Sequence, residues 1–89
     1  MASATTGSTV IGNMKMVWGT YTNGADEDSI DVTTGLGRIF NAVVNTTSHV
    51  TSSVPKVFIN SKYDGTATDG TLGIIADGGT DGNWIVWGI

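Results

Sequence analysis

The stretch Gly82-Asn83-Trp84-Ile85-Val86-Trp87-Gly88-Ile89 decides the fold. In a strand, successive side chains point to opposite faces, so Trp84 and Val86 share one side while Ile85, Trp87 and Ile89 share the other. Both faces are apolar, and both need cover. An exposed edge strand would not read this way. The segment is expected to be a strand pinned inside a sheet, with a bulky ring on each side.

Working outward, the rest of the chain repeats the pattern in weaker form. Val10 to Thr22 alternates, with Met14, Met16, Trp18 and Thr20 opposite Lys15, Val17, Gly19 and Tyr21. Gly12 reads as a bulge within it, and Asn23-Gly24 as a turn. Ile30 to Thr34 is a short strand ending at Gly35-Leu36-Gly37. Arg38 to Thr46 reads as a strand. Leu36, Phe40, Val43 and Val44 also fit a helical spacing, but the β-branched content favours the strand. Lys56 to Tyr63, Thr71 to Ala76 and the terminal stretch complete the set. Asp64-Gly65 and Asp69-Gly70 mark a turn-rich excursion or a very short strand pair, and Asp77 to Gly82 a hairpin loop. About six strands at roughly ten-residue spacing, joined by turn dipeptides, predict an all-β fold: a small antiparallel sandwich or barrel. Residues 10–89 form its single domain. Residues 1–9, small and polar, read as a flexible arm, free or ordered against a neighbouring subunit.

Composition narrows function mainly by exclusion. The chain has 89 residues, no cysteine, one histidine and a net charge of −4, and only 13% of it is charged. Without cysteine there is no disulfide, thiolate metal site or Cys chemistry, and one histidine makes no zinc cluster. Three Lys and one Arg, dispersed, do not make the basic face that nucleic acid or an anionic membrane requires. No apolar run reaches the ~20 residues of a spanning helix. Residues 1–9 lack the cationic and apolar blocks of a secretory signal, so synthesis in the cytoplasm is expected. At this size burial on folding barely exceeds conformational entropy, so support from oligomerisation or a larger assembly is expected.

Catalytic chemistry finds little footing, and neither a catalytic residue nor a cofactor is expected. His49 lies in a Ser/Thr loop, where a solvated histidine is the plainer reading than a base for a Ser or Thr nucleophile. No Gly-x-Ser-x-Gly elbow occurs. Asp64, Asp69, Asp77 and Asp81 belong to Asp-Gly turns and need no catalytic explanation. Asp26-Glu27-Asp28 is the one charge cluster. It lacks the alternating ligand spacing of a calcium loop, so a solvated acidic loop is favoured over a metal site. Asn45-Thr46-Thr47 matches a glycosylation triplet, a pattern that arises often by chance. Trp18, Trp84 and Trp87, with Tyr21 and Tyr63, read as core or subunit-interface residues, or as a sugar platform. Three tryptophans exceed what one thin core needs, so at least one is expected to face a partner.

Taken together, Trp18-Gly19-Thr20-Tyr21-Thr22-Asn23, the acidic loop, Ile30-Asp31-Val32-Thr33-Thr34-Gly35-Leu36 and the terminal Trp84–Ile89 strand carry a resemblance. The chain resembles small virion structural proteins of tailed bacteriophages, over residues 16–89. The resemblance implies a non-enzymatic capsid decoration (cement) protein, or another minor head or tail component, located in the virion. Such proteins are often trimers and bind the major capsid protein or another virion protein. The interface candidates are then Trp18, Tyr21, Trp84, Trp87, Asp26, Glu27 and Asp28, with the arm at 1–9 as a further docking element. A tail-fibre or spike module, or a glycan-binding β-sandwich recognising host carbohydrate, is the alternative.

Overall fold

The computed structural model describes residues 2–24, 28–47, 56–76 and 79–89. Among them the chain is all-β, with seven strands: β1 (Ala2–Ile11), β2 (Met14–Thr22), β3 (Ser29–Thr33), β4 (Ile39–Thr46), β5 (Lys56–Ser61), β6 (Ala67–Ile75) and β7 (Asp81–Gly88). They form two antiparallel sheets packed as a sandwich. One has four strands in the order β1-β2-β7-β4, the other three in the order β3-β6-β5. The terminal stretch is the inner strand β7, flanked by β2 and β4.

The core lies between the sheets. Val17, Tyr21, Trp84 and Val86 come from the four-stranded sheet, and Ile30, Val32, Leu72 and Ile74 from the other. Trp84 is 1% exposed, and its indole N–H donates to the Thr20 carbonyl at 3.2 Å. This burial satisfies the ring's polar atom, as a core indole requires.

Cross-strand glycines make room for the rings. Gly7 is the partner of Trp18, Gly19 of Trp84, and Gly82 of Tyr21. A Cβ added at Gly7 would sit 2.7 Å from the Trp18 ring, and one at Gly19 would sit 2.6 Å from the Trp84 ring. Each large ring therefore lies flat over a residue with no side chain. The ring supplies the packing that the glycine lacks.

Two expectations need correction at the N-terminus. Residues 2–9, expected as a flexible arm, belong to β1, which pairs with β2 from Ala2↔Thr22 to Ile11↔Met14. Gly12 is no bulge: with Asn13 it makes the two-residue turn between these strands, at φ +63°. Glycine at the first turn position with positive φ fits the right-handed twist of a hairpin. The bulge falls instead between Thr5 and Gly7. The count is thus seven strands rather than six. Farther on, the Asp64–Gly70 excursion is mostly strand, because β6 begins at Ala67.

Side chains and backbone ends tie the two sheets together. Asn60, at φ +53°, sits in a bulge of β5 between Ile59 and Ser61. Its amide accepts from Ile39 N at 2.8 Å and donates to Ile39 O at 2.8 Å, as a neighbouring strand would. Its Oδ1 also accepts from Gly70 N at 3.1 Å. One carboxamide thereby bridges β4 of one sheet to β5 and β6 of the other. Beyond the strands, Gly37 N and Arg38 N both donate to Ile89 O, at 2.7 and 3.0 Å.

Candidate functional site

The outer faces of the two sheets are treated differently by the chain. Over the three-stranded sheet, the turn after β5 folds back across β6. A Cβ at Gly73 would lie 2.6 Å from Tyr63 N and 2.7 Å from the Lys62 carbonyl carbon. The Tyr63 N–H reaches past it to Asp31 Oδ1 on β3, at 2.7 Å. The middle of β6 is therefore covered by the backbone of residues 61–63, and a glycine in the strand is what lets it approach so closely, while Phe58, opposite Gly73 on β5, stays exposed.

The four-stranded sheet has no such roof among the described residues. Strand register puts Met14, Met16 and Trp18 of β2 on its outer side with Ile85 and Trp87 of β7 and Val43 of β4. Trp18 faces Ile85, and Met16 faces Trp87, so the two indoles are diagonal neighbours on adjacent strands. All but Val43 are half-buried, and Val43 is 42% exposed. Toward the other end of the same face stand Thr20, Thr22, Asn45 and Asn83. Among the described residues, the only charged residue the register places on this side is Asp81, at the end of β7.

The sequence-derived interface candidates therefore separate into groups. Trp18 and Trp87 lie together on the open face. Tyr21 and Trp84 do not: each is 1% exposed in the core, and no partner can reach either ring. The reason is parity, since Tyr21 and Trp84 share the inward side with Val17 and Val86. Asp28 is exposed where β3 begins, and its carbonyl accepts from Ala76 N at 2.7 Å. Asp26 and Glu27 lie outside the described residues, as does His49. Reading the residues alone missed Met14, Met16, Ile85 and Val43 as surface residues, although their alternation with Val17, Val86 and Val44 was visible.

At the end of the sandwich where β2 stops, polar groups are buried. The Tyr21 hydroxyl and both side-chain polar atoms of Asn23 have no hydrogen-bond partner among the described residues. Burial pushes the Tyr21 hydroxyl above its ordinary value, and the negative charge of Asp81 adds to this. The Thr46 side chain pulls more weakly the other way. On the opposite surface, Asp64 accepts the Thr66 N–H at 2.9 Å, which holds its carboxyl below the usual range. The described residues contain no group of three His, Asp or Glu that could hold a metal ion. Among them no helix is long and apolar enough to cross a membrane.

No family model, curated protein or solved structure matches this chain.

Proposed function

We propose that this chain is a non-enzymatic structural protein of a tailed-bacteriophage virion, a capsid decoration protein made in the host cytoplasm and incorporated into the head. One observation carries the reading: among the described residues, the outer face of the four-stranded sheet is aromatic, nearly free of charge and without a roof. A folded domain that leaves such a face to water invites association, and burying it in an assembly is the use that fits its chemistry. The layout of short sequence elements adds the phage context. A cement protein acts by mass action: whatever binds the assembled shell and not its parts shifts the equilibrium toward the shell. The major capsid protein or another virion protein is the partner this requires.

The test is co-sedimentation of the purified protein with heads of the phage that encodes it, alongside the protein content of purified particles. Binding that saturates at a fixed number of copies per head, with heads that resist heat better, is the expected result. Absence from the particles and no binding to heads would overturn it. One feature favours a second reading, in which the diagonal pair Trp18 and Trp87 stacks on sugar rings. Under that reading, tryptophan emission shifts on addition of host surface glycan while heads bind nothing.

A further inference from the structure

We infer that β1 is an exchange strand: the edge of β2 that it occupies also accepts β1 from a second copy of this chain, which takes the first copy's β1 in return. The inference goes beyond the assembly reading and uses a different surface, the hydrogen-bonding edge of β2 rather than the outer face of the sheet.

The attachment of β1 is slight. From Ser3 to Ile11 every residue is exposed except Gly7, which is half-buried. None of them belongs to the core cluster. β1 stands at the end of its sheet, so a single ladder, to β2, holds it. Residues 2–11 include no charge and no proline, two devices by which edge strands avoid other chains. Releasing β1 therefore removes no member of the core, and costs mainly hydrogen bonds that water replaces.

Register selects the partner. The pairing runs from Ala2↔Thr22 to Ile11↔Met14, with a bulge between Thr5 and Gly7. The bulge brings Gly7 opposite Trp18, and a Cβ there would sit 2.7 Å from the ring. An incoming strand must bring a glycine to that place, or its side chain meets the indole. Residues 2–11 of another copy supply both the bulge and the glycine. In a two-fold exchange each copy gives what it receives, so the whole ladder is conserved.

The turn sets the balance. Gly12 and Asn13 close the hairpin, with Gly12 at φ +63°. In the exchanged form these two residues extend, and β1 runs straight on into β2. Glycine takes the closed turn without strain, which favours the single chain. A β-branched residue is strained there and relaxed in the extended link. A Cβ at Gly12 would meet nothing within 4 Å, so that strain is of the backbone alone.

Cross-linking in trans tests this, because the chain has no cysteine of its own. One copy carries Ala4→Cys on β1 and the other Thr20→Cys on β2, two exposed residues that pair directly. The Cα atoms of such a pair lie about 4.5–5.5 Å apart, within reach of a disulfide. Asn45→Cys in place of Thr20→Cys is the control, since Asn45 is exposed in the same cross-strand row but on β4. After mixing under oxidising conditions, the heterodimer bridged between positions 4 and 20 is expected to form at least about tenfold faster than the control, because exchange holds the two thiols together. Gly12→Val in both copies is expected to speed it further and to increase the dimer seen by sedimentation velocity. A rate equal to the control would overturn the inference. So would a folded Gly12→Val protein in which the rate falls or does not change. If Gly12→Val fails to fold, the chain with its own turn decides alone.

Discussion

Asn60 shows how much one side chain can hold. It adopts a left-handed conformation, φ +53°, that asparagine tolerates better than most residues. From there its amide makes both hydrogen bonds that a paired strand would offer Ile39. Asn60→Ala removes these bonds and the one from Gly70, and places alanine where φ is positive. A loss of about 3 kcal/mol is expected in urea unfolding, most of it from backbone groups left without partners. Tyr21 is the opposite case, a buried hydroxyl with no partner among the described residues. Its folded-state value lies above the unfolded one, so the neutral form is favoured by folding. That contribution is complete below about pH 10 and is lost as pH rises through the raised value. Tyr21→Phe is therefore expected to stay within about 1 kcal/mol of wild type at neutral pH. Its unfolding midpoint should fall less steeply than that of wild type between about pH 9 and about pH 11, on either side of the ordinary tyrosine value.

At the scale of elements, β7 was legible and β1 was not, for physical reasons. In β7, alternation of bulky residues made an inner strand the only economical reading, and its flanks β2 and β4 provide the cover. In β1, Ala-Ser-Ala-Thr-Thr-Gly-Ser-Thr has no apolar rhythm. Its place comes from the pairing that β2 offers and from the Trp18 ring lying over Gly7. The Gly12-Asn13 turn was hidden because Val10 and Ile11 seemed to prolong the alternation of β2. The roof over Gly73 and the Asn60 bridge depend on contacts between distant segments, which no local pattern encodes. A glycine inside the strand Thr71–Ile75 was the one local sign of a close backbone approach. Of the site, Trp18 and Trp87 could be read as surplus aromatics. Their separation from Trp84 and Tyr21 needed the strand register. This architecture also sets an order of local stability. Amides of Trp84 to Trp87, bonded on both sides, are expected to exchange with solvent only on global opening. Those of β5 and the start of β1, at sheet edges, should exchange at least ~100-fold faster by NMR hydrogen exchange.

For the molecule as a whole, the asymmetry between its two outer surfaces matters most. The three-stranded sheet is covered over Gly73 by the chain's own residues 61–63, anchored on Asp31. The four-stranded sheet presents two tryptophans, two methionines, Ile85 and Val43 with no roof among the described residues. A small domain with a thin core gains stability when such a face is buried in an assembly, because association removes the folded form from the unfolding equilibrium. The thermal midpoint is accordingly expected to rise when heads are added. The most direct measurement is hydroxyl-radical footprinting of the wild-type protein, free and mixed with heads of the phage that encodes it. Protection of Met14, Met16, Trp18 and Trp87 on heads, with Phe58 and Tyr63 oxidised equally throughout, is the expected result. Equal oxidation of the two tryptophans and two methionines in both states would contradict a covered face.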